Sequence, residues 1–188
     1  MKRARGNSSD LTGGTGDVNP QLLSDSITQS AADTTTTQQV VLPIQRIAAN
    51  APSTAIVMEV LKIWVQNAAF GDVGNVAETS KSQNLVFSTR NTGTTNQSLA
   101  DPAVFAVIRT TQQGAWTAAG SYAYQEFNIQ TVDLTDGAGH GILIATDSIF
   151  VQAVSAATGN ANMMQWKILY RWKRVSLAEY IGIVQSQQ

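Results

Sequence analysis

Met164-Gln-Trp-Lys-Ile-Leu-Tyr-Arg-Trp-Lys-Arg174 is the stretch on which the fold turns. Read with period two, Met164, Trp166, Ile168, Tyr170 and Trp172 share one face, and Gln165, Lys167, Leu169, Arg171 and Lys173 share the other. Such alternation predicts a long strand with an apolar face in a core and a cationic face turned outward. Four of the 12 Lys and Arg residues lie between positions 167 and 174, in a chain where charge makes up only 13% of residues. That asymmetry points to an interaction protein before it points to an enzyme.

The rest of the composition agrees. At 188 residues and 43% hydrophobic, the chain suits one domain with a substantial core. Its share of charged residues is about half the usual ~25%, so copies repel one another weakly and self-assembly gains weight. The net charge of -1 argues against coating nucleic acid by bulk electrostatics. Without cysteine there are no disulfides and no thiolate metal sites. The basic head Met1-Lys-Arg-Ala-Arg-Gly6 has no apolar run behind it and does not read as a secretory signal. No segment approaches the ~18 consecutive apolar residues of a membrane span.

Residues 1–38 carry few large side chains and include Gly13-Gly-Thr-Gly16 and Thr34-Thr-Thr-Thr37. They are expected to form a flexible or partner-dependent arm, with Leu22, Leu23 and Ile27 as anchors. Residues 39–175 are expected to form the folded domain and 176–188 an assembly tail within it. Strands are predicted at Val40–Ile47, Ala55–Gln66, Leu85–Thr89, Ala103–Thr111, Tyr122–Ile129, Ile142–Thr146, Ile149–Val154 and Met163–Arg174. Turn signals such as Asp101-Pro102, Asp136-Gly137 and Gly159-Asn160 separate them. Helix is confined to short turns around Ser24–Ala32 and Val175–Tyr180. About eight strands without intervening helices predict an all-β protein: a single eight-stranded antiparallel jelly roll, or two-sheet sandwich, with an N-terminal arm. An immunoglobulin-like sandwich is smaller and carries a Cys…Trp…Cys pattern that is missing here.

Catalytic chemistry finds little support. His140 is the single histidine, set among glycines, and cannot supply a multi-imidazole metal site. No Gly-x-Ser-x-Gly elbow accompanies it, and the glycine-rich segment lacks the Gly-Lys-Ser/Thr of a phosphate loop. Asp133, Asp136 and Asp147 are oxygen donors of the kind calcium takes, but their spacing fits no calcium loop. We expect no enzyme, no cofactor and no metal. The cationic stripe of Lys167, Arg171 and Lys173 suits phosphate contact, a protein partner, or a charged edge blunted against aggregation. Lys2, Arg3 and Arg5 form a smaller cluster. Trp166 and Trp172 belong to the core by phase, whereas Trp116, in Gln113–Gly120, reads as an exposed loop contact. The apolar tail residues Tyr180, Ile181, Ile183 and Val184 need cover, from their own core or at a subunit boundary.

Several segments resemble a known family. Asp133-Leu-Thr-Asp-Gly-Ala-Gly-His-Gly-Ile-Leu-Ile-Ala-Thr-Asp147, Lys167-Ile-Leu-Tyr-Arg-Trp-Lys173 and Glu179-Tyr-Ile-Gly-Ile-Val-Gln-Ser-Gln187 are similar to the C-terminal part of certain capsid proteins. These belong to small circular single-stranded DNA viruses that encode a replication initiator, largely environmental and marine. Leu11-Thr-Gly-Gly-Thr-Gly-Asp-Val-Asn-Pro-Gln21 looks like the same group. The resemblance implies a jelly-roll subunit of a small icosahedral shell around circular single-stranded DNA, carried in a virion assembled inside the host cell and met by a host receptor. Such proteins often carry a long basic N-terminal arm. Here only Lys2, Arg3 and Arg5 represent it, which shifts the expected genome contact to Lys167, Arg171 and Lys173. The subunit contacts are expected at Tyr180, Ile181, Ile183 and Val184. The rival reading is a non-viral jelly-roll module, a trimeric ligand or lectin-like domain with a site near Trp116.

Overall fold

The computed structural model describes residues 19–42, 53–67, 80–91, 98–117, 120–124 and 129–187, with only the backbone of residues 80, 112–117 and 120–124. In chain order its elements are β1 (Gln21–Thr28), β2 (Thr35–Val41), β3 (Thr54–Asn67), β4 (Ser80–Ser88), β5 (Val104–Thr117), β6 (Gly120–Tyr124), β7 (Gln130–Asp133), β8 (Ile142–Ile144), β9 (Ser148–Ala156), β10 (Met163–Ser176) and α1 (Leu177–Ser186).

The pairings are nested. β1 pairs with β10, β2 with β9, β3 with both β7 and β8, and β4 with β5, all antiparallel. A long hairpin folded over on itself gives this order, and it yields two sheets, β1-β10-β3-β7 with β8 beside β3, and β2-β9-β4-β5-β6. That is the antiparallel jelly roll predicted from the strand count. Between the sheets lies one apolar layer. Met164, Trp166 and Ile168 of β10 meet Leu85 and Phe87 of β4 and Val151 of β9, and the Phe87 and Trp166 rings are perpendicular with centroids 5.9 Å apart.

β10 keeps the expected alternation, and β3 explains why its own apolar run shows none. Leu169 pairs with Lys62 but Tyr170 pairs with Val60, so Leu61 is an extra residue. This bulge switches the core-facing set from Ile56, Met58 and Val60 to Ile63 and Val65. β7 and β8 leave β3 on either side of it, so the neighbouring strand is interrupted where β3 is kinked.

Three sequence expectations are corrected. The arm expected over residues 1–38 contains strands β1 and β2, each a full partner in a sheet. Backbone pairing with β10 and β9, together with the buried Ile27, holds them, and composition does not reveal that. The helical turn expected around Ser24–Ala32 is accordingly strand as far as Thr28. Trp116 lies within β5 rather than in a loop, and its side chain is outside the described residues. Part of the predicted strand Val40–Ile47, from residue 43 on, also lies outside them. The helical turn at 175–180 is longer than expected. Ser176 caps α1, its Oγ accepting from the Glu179 amide at 3.2 Å, and helix runs to Ser186.

Candidate functional site

The outer face of the first sheet, where the cationic stripe lies, divides into three zones. At the end nearest the C-terminus, α1 covers it. Tyr180, Ile183 and Val184 pack on a small patch of Ala55, Val57, Ala145 and Val175. The Tyr180 hydroxyl donates to the Ala145 carbonyl at 3.3 Å. Gln187 locks the helix end: its Nε2 donates to the Leu143 carbonyl and its Oε1 accepts from the Ala145 amide. Three of the four expected subunit-contact residues thus have an intramolecular partner, while Ile181 is 49% exposed.

In the middle zone Glu59 stands on the outer face of β3 opposite Arg171 of β10. It is the one carboxylate in the 54–67 segment and its side chain is wholly buried. Arg171 Nε donates to Glu59 Oε2, Lys173 Nζ lies 3.5 Å from Oε1, and the Gly141 amide donates to Oε1 at 3.0 Å. Arg171 also donates to the Gly139 carbonyl. Gly141 is required for this approach, because a Cβ there would sit 2.1 Å from the Val60 carbonyl oxygen. Burial by itself pushes the Glu59 carboxyl up. The hydrogen bonds from Arg171 and Gly141, with the charges of Lys173 and Arg171, outweigh that and hold it below the usual range. Two cations of the sequence-predicted genome contact therefore converge on one buried carboxylate. Arg171 is only 19% exposed and Lys173 37%.

The third zone is open. Lys167 is exposed and pairs with no carboxylate among the described residues. It lies directly across from Trp64 on β3 and Ser24 on β1, and the next row places Gln165 between Gln66 and Ser26. Together these residues floor a groove of about 660 Å³, with Leu22 and Ile129 at its rim, 58% and 60% exposed. Lys62 reaches over Trp64, its ammonium 6.0 Å from the ring centroid and 3.4 Å from Asp133. Sequence periodicity does not place Trp64 beside Lys167. The bulge at Leu61 determines that, by turning Trp64 outward.

The remaining candidates are dispersed. Lys2, Arg3 and Arg5 lie outside the described residues. His140 is exposed in the β7–β8 turn, where its Nδ1 is 3.0 Å from Asp136 Oδ2. Asp136 accepts from the His140 and Ala138 amides, and these bonds, the His140 amide first, lower its carboxyl to about 2. Asp133 binds Thr135 and Lys62, apart from Asp136. Among the described residues no three His, Asp or Glu side chains gather around a common point.

No family model matches the chain, and no curated protein does. Solved structures do share its fold, among them VP1 proteins of polyomaviruses, which are viral jelly-roll capsid proteins. VP1 of the trichodysplasia spinulosa-associated polyomavirus, in complex with GM1 oligosaccharide, has a TM-score of 0.51 at 10% identity, covering 87% of this chain and 96% of that one. Merkel cell polyomavirus VP1 with 3'-sialyllactosamine has a TM-score of 0.51 at 9% identity, covering 87% and 98%. The same protein with disialyllactose gives 0.51 at 10%. At such identities the likeness is one of fold.

Proposed function

We propose that this chain is a viral capsid subunit that self-assembles into a small closed icosahedral shell around circular single-stranded DNA, and that it catalyses nothing. The observation carrying this reading is the complete nested jelly roll, which matches capsid proteins over 87% of the chain at 10% identity. The sequence resemblance to capsid proteins of small circular DNA viruses supports the nature of the genome. In this reading the shell domain begins at Gln21 rather than at residue 39, and α1 is a buttress of the sheet with Ile181 turned to a neighbouring subunit. Genome contact falls to Lys167 and to Lys2, Arg3 and Arg5. Arg171 and Lys173 contribute mainly through the Glu59 cluster.

Closed symmetry multiplies modest contacts between subunits, so assembly is expected to be cooperative in concentration. Purified protein should form uniform closed particles by electron microscopy. Persistence as a monomer over a wide range of concentration and salt overturns the reading. Ile181→Ser should impair particles while leaving the monomer folded.

A further inference from the structure

We propose that the groove around Trp64 is a sequence-tolerant binding site for a single-stranded polynucleotide, in which a base stacks on the indole and its phosphate meets Lys167. This deepens the genome-enclosing reading above and rests on it. Lys167 and Trp64 are cross-strand neighbours on the same face, with adjacent strands about 4.8 Å apart, so the flexible Lys167 side chain can reach the phosphate of a base stacked on the indole. The Lys62 ammonium lies over the indole, 6.0 Å from its centroid, and is paired with Asp133 at 3.4 Å, so Lys167 is the cation of the groove itself. Gln66 and Gln165, one row along, each offer both a donor and an acceptor, which suits any base edge without selecting one. Ser24 and Ser26 bring hydroxyls on the β1 side.

Of the two charged residues that line the groove, Lys167 stands on its floor directly across from Trp64. Asp25, the carboxylate at its rim, is engaged by the Gln38 amide at 2.8 Å and by the Ser26 backbone N–H. A duplex hides its base faces, so an aromatic on a flat sheet can stack only with a single strand. A groove of this chemistry therefore distinguishes strand state rather than sequence.

The test is fluorescence anisotropy of a labelled oligodeoxythymidine added to unassembled subunits, with a duplex of the same length as comparison. Trp64→Ala should weaken single-strand binding roughly 5- to 150-fold, and Trp64→Phe should retain most of it. Indole emission should fall on DNA addition in the wild type and fall less in Trp64→Phe. Lys167→Gln should weaken binding and reduce the slope against salt by about 0.7. If Trp64→Ala binds as tightly as wild type while removal of Lys2, Arg3, Arg5 and Lys167 abolishes binding, the stacking site is overturned and genome contact survives. If Trp64→Ala blocks particle formation with DNA affinity unchanged, the face is a contact between copies and the proposal fails. If the wild type forms particles but binds no oligonucleotide, both the site and the genome contact fail, and the capsid reading stands.

Discussion

The two ends of the cationic stripe on β10 begin with the same kind of residue and finish differently. At one end Arg171 and Lys173 close on Glu59; at the other Lys167 stands exposed beside Trp64. Both ends read as one cationic stripe along the strand. What separates them lies on β3, where a single carboxylate faces Arg171 and an indole faces Lys167. A charge at a strand position acquires a role only through its cross-strand neighbours. One half of the stripe is structural and the other half is available to a partner.

The largest test of that contrast is removal of Glu59. Glu59→Gln removes the buried carboxylate that Arg171 and Lys173 share and should cost about 1–3 kcal/mol in chemical denaturation. Replacing Glu59 and Arg171 together by Met should cost far less than the two single changes combined. If Glu59→Gln proves neutral, the cluster is not structural and Arg171 returns to the pool of genome contacts.

Acid offers a second, graded test. Because the Glu59 carboxyl sits below its ordinary value of 4.5, the folded state binds its proton less readily than the unfolded chain does. Its stabilising contribution is therefore complete at neutral pH and is lost as pH falls below about 4.5 toward the folded value. Asp136, held near 2, adds a further loss at lower pH. Thermal melts from pH 7 to pH 3 should show the steepest decline below 4.5, and the Met/Met variant should lack the upper part of it.

Smaller effects belong to the helix that covers the structural end. Gln187→Ala leaves the Leu143 carbonyl and the Ala145 amide without their side-chain partner and should cost about 1–2 kcal/mol. Ser176→Ala removes the cap and should cost about 1 kcal/mol. Lys167→Gln, at the open end, should change stability by less than about 0.5 kcal/mol, with its effect confined to binding. A large loss of stability in Lys167→Gln would erase the distinction between the two ends.

Much of the fold was legible. The alternation from Met164 to Trp172 marked the core face of β10, and the spacing of apolar runs and turns indicated a jelly roll. The polar strand Gln21–Thr28 escaped notice because only Ile27 is buried and its ladder with β10 leaves no mark on composition. The run from Ala55 to Gln66 betrayed a strand but not its faces, since a one-residue bulge exchanges them midway. Glu59 did leave a signal, as the lone acid in an apolar strand of a protein that also has a cationic one.

The sequence by itself determined that the chain is a β-sandwich with an amphipathic strand of alternating aromatic and basic residues, because side-chain period is a local property of the backbone. Only the tertiary structure decided which of those basic residues are spoken for. The ion cluster joins β3, β10 and the glycine-rich turn before β8, residues far apart in the chain whose meeting depends on register and on the bulge at Leu61. Register is a property of paired strands, and so is the division between the charges that hold this protein together and the charge left exposed beside Trp64.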